Sequence, residues 1–217
     1  MNSPPSGVAA FDFDGTLTRT DSMLGFLRRV AGDTALAAAL ARVPLRLAAS
    51  RRDPAGRDII LRDVVKATLL AELLGGRPLH DVARAAGAYG AALAETVTPD
   101  MRAVLEHHRR QGHRLVVVSA SLELYLEPAT ARLGLDAVLG TRLVVDGSGI
   151  LTGRLEGANC RGPEKARRLA EWMAAQGMEP DTVPVWAYGN SAGDVDLLGA
   201  ATVATRVRRG RPTVAPS

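Results

Sequence analysis

The stretch that decides the fold is Phe11-Asp12-Phe13-Asp14-Gly15-Thr16-Leu17-Thr18, which continues the short apolar run Val8–Phe11. Such a run predicts a buried strand of a parallel sheet, because both faces of that kind of strand are covered. In open α/β sheets, ligands bind just beyond the carboxyl ends of the strands. We therefore expect Asp12 and Asp14 at a ligand site, with Gly15 allowing the loop to turn sharply around a small anion. The alternative is a strand-end turn that carries two solvated aspartates.

Two later apolar runs also end in polar residues. Residues 115–118 predict a second buried strand that ends at Ser119-Ala120-Ser121, and residues 183–188 predict a third, followed by Gly189-Asn190-Ser191-Ala192-Gly193-Asp194. Between them, Lys165 lies in the first turn of a helix predicted over residues 164–176. The helix dipole slightly disfavours a cation there, which indicates a specific role, although an ordinary first-turn lysine is the alternative.

This order of motifs resembles that of the haloacid dehalogenase-like phosphatase superfamily. The DxDGTLT sequence resembles motif I, Ser119 resembles motif II, Lys165 resembles motif III, and residues 189–194 resemble motif IV. A helical insert between motifs I and II is similar to that of the phosphoserine phosphatase-like branch. Motif IV departs from the family pattern, because Asn190 stands where the family most often has aspartate.

The resemblance implies a role for each of these side chains. Asp12 would attack phosphorus to form an aspartyl-phosphate, and Asp14 would protonate the leaving alkoxide and then accept a proton from the hydrolytic water. Ser119 would bond the transferring phosphoryl group, and Lys165 would balance the negative charge. The implied substrate-binding set also contains Ala120, Gly15 and Asp21, the last standing where phosphoserine phosphatases carry a glutamate for the substrate amine.

The cofactor that the resemblance implies is Mg²⁺. Its ligands would be the Asp12 carboxylate, the Asp14 backbone carbonyl and a motif IV side chain, either Asn190 or Asp194. An amide oxygen at position 190 can bind Mg²⁺ but brings no charge, whereas hard divalent cations favour anionic oxygens. The sequence leaves open which of the two motif IV residues contacts the metal directly.

The resemblance predicts an α/β fold, a Rossmann-like doubly wound parallel sheet with a small helical cap inserted after the first strand. Residues 1–19 and 97–217 would form the core domain, and residues 20–96 the cap. Apolar spacing in the insert predicts helices over residues 21–30, 34–49 with a break near Pro44, 58–74 and 79–95. A bundle that merely packs on the sheet is the alternative. In the core we expect Thr98 as a helix cap, a hairpin around residues 146–149 and a frayed tail from residue 206.

The composition limits the class of protein. The chain has 217 residues, 47% of them hydrophobic, which suits one moderate globular core, alone or with a smaller insert. Its net charge of +4 suits an anionic substrate, although solubility explains it as well. Its single cysteine, Cys160, and the lack of a signal sequence or a membrane-spanning apolar run predict a cytoplasmic location. Aromatic residues make up 4% and are not interleaved with basic ones, so we expect no nucleic-acid binding. The four histidines lack metal-ligand spacing and are assigned to surface or packing positions.

These features favour a phosphatase for a small-molecule phosphate monoester, although neither the particular monoester nor the oligomeric state is readable. A second interpretation is a lipid-phosphate phosphatase in contact with the membrane surface. It is motivated by the apolar segment of residues 35–49 together with four arginines, Arg42, Arg46, Arg51 and Arg52, and buried packing explains that segment equally well. A third is a phosphate-binding protein with little turnover, motivated by Asn190.

Overall fold

The computed structural model describes residues 6–49, 57–179 and 182–213. Its strands are β1 (Val8–Phe11), β2 (Arg114–Leu122), β3 (Ala137–Val145), β4 (Leu151–Glu156), β5 (Val185–Gly189), β6 (Val203–Arg208) and β7 (Arg211–Pro212). Within the described residues they form one sheet in the order β4-β3-β2-β1-β5-β6-β7. The five inner strands are parallel, and β4 and β7 are antiparallel edges. The predicted α/β fold is confirmed.

The central strand β1 fixes the position of the motifs. Its residues are fully buried, because β2 and β5 pair with its two edges and helices cover both faces. In the register of the sheet, Phe11 aligns with Val117 of β2 and with Tyr188 of β5. The segments that follow these three residues therefore open at the same edge of the sheet, although they are far apart in the sequence.

The helices are α1 (Met23–Ala31), α2 (Asp33–Ala49), α3 (Arg57–Leu74), α4 (Leu79–Glu95), α5 (Pro99–Arg110), α6 (Glu123–Leu133), α7 (Pro163–Ala175) and α8 (Val195–Gly199). Alternate residues of β1 serve two separate cores, as the two-residue period of a strand requires. Val8 and Ala10 pack with α7 and α8 on one face of the sheet. Ala9 and Phe11 pack on the other face, in a cluster that contains α5, α6 and side chains of α1 to α4.

The structure corrects two predictions. The predicted break near Pro44 is wrong, because α2 continues through this proline. Proline removes one helical hydrogen bond, and packing of buried Ala39 and half-buried neighbours compensates for that loss. The frayed tail is also wrong as far as residue 213. The segment turns at Gly210 and pairs with β6 as β7, and Thr98, which caps α5 as predicted, donates a hydrogen bond to the Gly210 carbonyl at 2.6 Å.

Other elements agree with the predicted pattern. The hairpin forms between β3 and β4, and α4 has the predicted bounds of residues 79–95. Cys160 is buried. In the part of the chain that the structure describes, no helix has the length and apolarity needed to cross a bilayer.

Candidate active site

The nucleophile candidate Asp12 lies directly beyond β1, where its backbone N–H donates to the Tyr188 carbonyl at 2.9 Å. The chain then forms a tight turn over Phe13–Leu17, in which Gly15 has φ +78°. That left-handed conformation strains any residue with a Cβ. The Thr16 hydroxyl reaches back from this turn to donate to Asp12 Oδ2 at 3.1 Å. The turn therefore holds a nearly buried carboxylate at the end of the central strand.

Lys165 joins two carboxylates that come from different elements. Its Nζ donates to Asp12 Oδ1 at 2.7 Å and to Asp194 Oδ1 at 2.6 Å. Burial acts to lower the pKa of Lys165, but the two carboxylates overcome that effect and raise it. Burial raises the pKa of Asp12, and the ammonium opposes this shift. The arrangement gives a buried carboxylate whose negative charge is partly neutralised at Oδ1 by Lys165, while Oδ2 accepts the Thr16 hydroxyl.

Asp194 also organises the loop that follows β5. Its Oδ2 accepts hydrogen bonds from the Asn190 N–H at 3.1 Å, the Ser191 N–H at 2.8 Å and the Ser191 hydroxyl at 2.7 Å. Burial acts to raise the pKa of Asp194, but Lys165 and these donors lower it. Since Oδ1 binds Lys165, both oxygens of Asp194 are engaged within the protein.

Asn190 approaches the motif I turn closely. Its Nδ2 donates to the Asp14 carbonyl at 3.2 Å, and an added Cβ on Gly15 would lie 1.9 Å from the same nitrogen. A half-turn of the amide would put Oδ1 in place of Nδ2, beside the Asp14 carbonyl and near the Asp12 carboxylate. These oxygen donors fit the preference of Mg²⁺ for a few protein oxygens. The described residues hold no cluster of three or more His, Cys, Asp or Glu side chains arranged as a metal site.

Asp14 is held by serines that the sequence did not single out. The Ser22 N–H donates to Asp14 Oδ1 at 3.0 Å, and the hydroxyls of Ser22 and Ser121 donate to Asp14 Oδ2 at 3.0 and 2.5 Å. Burial raises the pKa of Asp14 to about 7, against the opposing effect of these hydrogen bonds. A carboxyl with a pKa in this range is suited to both proton donation and proton acceptance near neutral pH.

Lys66 is another residue of the site that the sequence pattern did not indicate. It projects from α3, is nearly buried, and its Nζ donates to the Ala120 carbonyl, Asn159 Oδ1 and Thr141 Oγ1 at 2.5, 2.5 and 3.1 Å. Burial lowers its pKa to about 8. A signal was present in the sequence, because Lys66 and Lys165 are the only lysines among 27 basic residues.

The predicted site residues come together at one cavity of about 820 Å³. Those that line it are Asp12, Asp14, Gly15, Asp21, Ser119, Ala120, Lys165, Asn190 and Asp194. Asp21 lies at an exposed position, where its Oδ1 accepts the N–H groups of Met23 and Leu24 at 2.9 and 3.2 Å and so caps α1. The insert helices also line this cavity, with apolar side chains next to charged ones: Met23, Val43, Leu47, Leu61, Arg62, Asp63, Val65 and Lys66. The insert helices thus border the cavity. That the insert forms a domain separate from the core stays a prediction.

Comparisons with known proteins agree with this geometry. Residues 9–199 match the model of a family described as haloacid dehalogenase-like hydrolase. Protein CicA of Caulobacter vibrioides is 34% identical over 207 residues, which cover 94% of this chain and 88% of that protein. Phosphoserine phosphatase SerB2 of Mycobacterium tuberculosis is 38% identical over 104 residues, 48% of this chain and 24% of that protein.

A solved structure has a similar fold. A substrate-bound phosphoserine phosphatase superposes with a TM-score of 0.62 and 19% identity, over 94% of this chain and 87% of the other. At this level of identity the likeness concerns the fold alone.

Proposed function

The chain belongs to the haloacid dehalogenase-like hydrolase family, and on that premise we propose that it is a Mg²⁺-dependent phosphatase that hydrolyses a small phosphate monoester through an aspartyl-phosphate on Asp12. The observation that carries the proposal is the buried Asp12 carboxylate, paired with Lys165 at 2.7 Å and bordering the cavity. The names of relatives, among them a phosphoserine phosphatase and a probable phosphatase of Mycobacterium tuberculosis, support the reaction class.

In the first step, a carboxylate oxygen of Asp12 attacks phosphorus and the bond to the leaving oxygen breaks. A phosphate monoester is an anion, so attack by a carboxylate requires charge neutralisation and fixed orientation. Lys165 supplies a cation at the nucleophile. The Ser119 hydroxyl accepts the Ser121 N–H at 3.2 Å and donates to no protein atom among the described residues, so its proton is free for a phosphoryl oxygen.

Asp14 serves both steps as the acid and then the base. As a neutral acid it gives its proton to the leaving alkoxide, and as a carboxylate it takes a proton from the water that hydrolyses the aspartyl-phosphate. The proton lost in the first step is thus regained in the second. Burial and the surrounding hydroxyls set the pKa of Asp14 to about 7, so both forms are populated near neutral pH.

The residues fit a Mg²⁺ ion held by the Asp12 carboxylate, the Asp14 carbonyl and the Asn190 side chain. When bound, the ion neutralises negative charge on the phosphate. We assign Asp194 an indirect part, because its oxygens bind Lys165 and the loop of Asn190 and Ser191. It fixes the ammonium that faces the nucleophile and the backbone that carries the amide.

The insert helices are proposed to act as a cap that selects the substrate. They contribute both apolar and charged side chains to the lining of the cavity, Asp21 among them. Residues 20–96 would then move relative to the core domain, residues 1–19 and 97–217, when substrate enters and product leaves. Exchanging Asp21 for alanine would alter the preference among substrates if its carboxylate binds a substrate amine.

A panel of phosphate monoesters tests the proposal directly. The purified protein, assayed with and without Mg²⁺, should release inorganic phosphate from at least one amino-alcohol, sugar or aryl phosphate, and chelation should stop the release. Asp12→Asn is the matched control, since the amide keeps the size of the side chain but cannot attack phosphorus. If the wild-type protein binds phosphate but hydrolyses none of the panel with Mg²⁺, the chain is a phosphate-binding protein and the proposal is wrong.

One observation favours a lipid phosphate as the second candidate substrate. Of the six large apolar side chains exposed among the described residues, four lie on the insert: Leu24, Leu40, Leu45 and Leu61. They lie on helices that also contribute apolar side chains to the lining of the cavity. Arg51 and Arg52, which helped to suggest membrane contact, lie outside the described residues, and Arg42 pairs with Glu72 at 2.7 Å.

Flotation with vesicles that contain phosphatidic acid separates the two candidates. A lipid phosphatase should float with the vesicles, and Leu45→Ser should weaken flotation while Val145→Ser, an equally simple change on β3 of the sheet, should not. A protein that stays at the bottom of the gradient and releases no phosphate from the vesicles acts on a small water-soluble monoester instead.

A further inference from the structure

Asp14 accepts more hydrogen bonds from the protein than the proposed proton transfer by itself requires. Its carboxylate accepts hydrogen bonds from two serines, Ser22 immediately before α1 and Ser121 near the end of β2. Ser22 and Ser121 are nearly buried, and their hydroxyl oxygens lie 3.2 Å apart. Ser22 belongs to the insert and Ser121 to the sheet, so both serines bond Asp14 only when the insert is packed against the sheet.

The hydrogen bonds distinguish the two oxygens of Asp14. Each carboxylate oxygen has two lone pairs. On Oδ2 both accept serine hydroxyls, at 3.0 and 2.5 Å, whereas on Oδ1 one accepts the Ser22 N–H at 3.0 Å. The open acceptor position is therefore on Oδ1, and a proton carried by the neutral acid lies there. Asp14 lines the same cavity as Asp12.

Aromatic side chains hold Ser22 in turn. The Tyr125 hydroxyl lies 3.1 Å from Ser22 Oγ, and the Tyr89 hydroxyl donates to the Ser22 carbonyl at 2.7 Å. Tyr125 and Tyr89 pack around Phe26, with ring centroids 4.8 and 5.6 Å from it. The trio belongs to α1, α4 and α6. This packing holds both tyrosine hydroxyls beside Ser22, which itself bonds Asp14.

We propose that Ser22 and Ser121 are positioning residues that orient Asp14 so that Oδ1 delivers its proton to the leaving oxygen of the substrate. The inference rests on the proposed function and goes beyond it. As the bond between phosphorus and the leaving oxygen breaks, its electron pair goes to that oxygen, the Asp14 proton moves there, and phosphorus becomes bonded to Asp12. The serines gain and lose no proton in this step. They hold the Asp14 carboxyl in the orientation that proton transfer requires, so the transfer is preorganised.

The dependence on the leaving group tests this role. We would measure kcat/KM with Mg²⁺ for three phosphates of similar size: 4-nitrophenyl, phenyl and benzyl phosphate. Nitrophenolate leaves without a proton, whereas the benzyl alkoxide needs one. Ser121→Ala should lower kcat/KM about tenfold to a hundredfold for benzyl phosphate and by no more than about threefold for 4-nitrophenyl phosphate. Ser22→Ala should shift the ratio of the two values in the same direction.

The ratio of two substrates in one preparation does not depend on how much of the protein is folded, so a partly unstable variant still gives an answer. Thr130→Ala is the control, because it removes a buried hydroxyl from α6 that bonds the Glu127 carbonyl rather than Asp14; its ratio should equal that of the wild type. In an Asp14→Asn background, Ser121→Ala should change the ratio no further.

Two results would count against the inference, and they are distinguishable. Equal losses on all three phosphates in Ser22→Ala and Ser121→Ala would assign the serines a general structural role and overturn the positioning role, with the phosphatase proposal intact. Absence of hydrolysis by the wild-type protein on every phosphate would overturn the proposed function and this inference together.

Discussion

At the scale of single residues, Lys165 illustrates why a chain so rich in arginine retains a lysine. One ammonium lies between Asp12 and Asp194, at 2.7 and 2.6 Å from their oxygens. A lysine donates from a compact point charge, whereas the planar guanidinium of arginine is suited to a single bidentate partner. The local sequence predicted a special role for this lysine, and the two carboxylates supply the physical reason.

The departure at Asn190 leads to a prediction about the metal requirement. Asn190→Asp adds a negative charge beside the Asp12 carboxylate and the Asp14 carbonyl, so the Mg²⁺ concentration for half-maximal activity should fall by about tenfold. Asp194→Ala should be more damaging, with a loss of kcat on the order of a hundredfold, because it frees Lys165 and the Asn190 loop. Titration of activity with Mg²⁺ measures both effects. An Asp194→Ala variant with the wild-type rate and metal dependence would contradict this part of the account.

The sequence predicted those site residues that belong to motifs, and it missed the residues that reach the site through packing. Asp12 and Asp14 follow β1, Ser119 follows the apolar run of β2, and Lys165 lies in the first turn of α7, so spacing along the chain has meaning for them. Ser22 and Ser121 are 99 positions apart and meet only because the insert packs on the sheet. Nothing in the pattern around either serine indicates that meeting.

At the scale of elements, α5 and β5 are joined by a buried histidine. His108 is fully buried, and its Nε2 lies 2.8 Å from the Tyr188 hydroxyl while its Nδ1 lies 2.8 Å from His113 Nδ1. Tyr188 stacks on Phe11, the residue before Asp12. The predicted packing role of this histidine is confirmed, and the cluster supports the strands that carry the site.

This cluster predicts a pH dependence of stability. Burial, with smaller effects of His113 and His107, lowers the pKa of His108 from 6.5 to about 4. Between those values the unfolded chain binds a proton that the folded protein does not, so the free energy of unfolding falls as the pH drops below 6.5. Between pH 7 and pH 5 the loss should be on the order of 2 kcal/mol.

Urea unfolding at pH 7 and at pH 5 measures this loss in the free energy of unfolding, with His108→Gln as the matched variant. Glutamine still bonds Tyr188 but does not titrate, so its free energy of unfolding should vary less with pH than that of the wild type. Parallel pH dependences in the two proteins would show that His108 does not titrate in this way.

Element types were predictable because strands and helices differ in apolar period, and the exceptions have local causes. Pro44 was expected to break α2, yet packing outweighs the lost hydrogen bond. The tail was expected to fray because its composition is arginine-rich and proline-containing. It pairs instead with β6, since Gly210 adopts φ +71° and approaches the Thr98 side chain, a contact that sequence spacing does not reveal.

At the scale of the whole molecule, the order of strands explains how separate motifs become one site. β1 lies between β2 and β5, so Asp12 beyond β1, Ser119 in the last part of β2 and Asn190 beyond β5 lie at the same edge of the sheet. The motif order predicted this sheet and the helical insert. The motif order did not predict that Lys66 of α3 would bond Ala120 of β2 and Thr141 of β3, because the docking of the insert depends on the complete fold.

The central claim is that turnover passes through an aspartyl-phosphate, an acyl phosphate on Asp12, and chemical mapping of the intermediate tests it most directly. The protein is quenched in acid during hydrolysis of 4-nitrophenyl phosphate with Mg²⁺ and treated with borohydride, which reduces an aspartyl-phosphate to homoserine. Peptide mass spectrometry then locates the change. The account predicts homoserine at position 12 in the wild type and none in Asp12→Asn, which should not turn over. Homoserine at position 14 or 194, or an Asp12→Asn variant within tenfold of the wild-type rate, would contradict it.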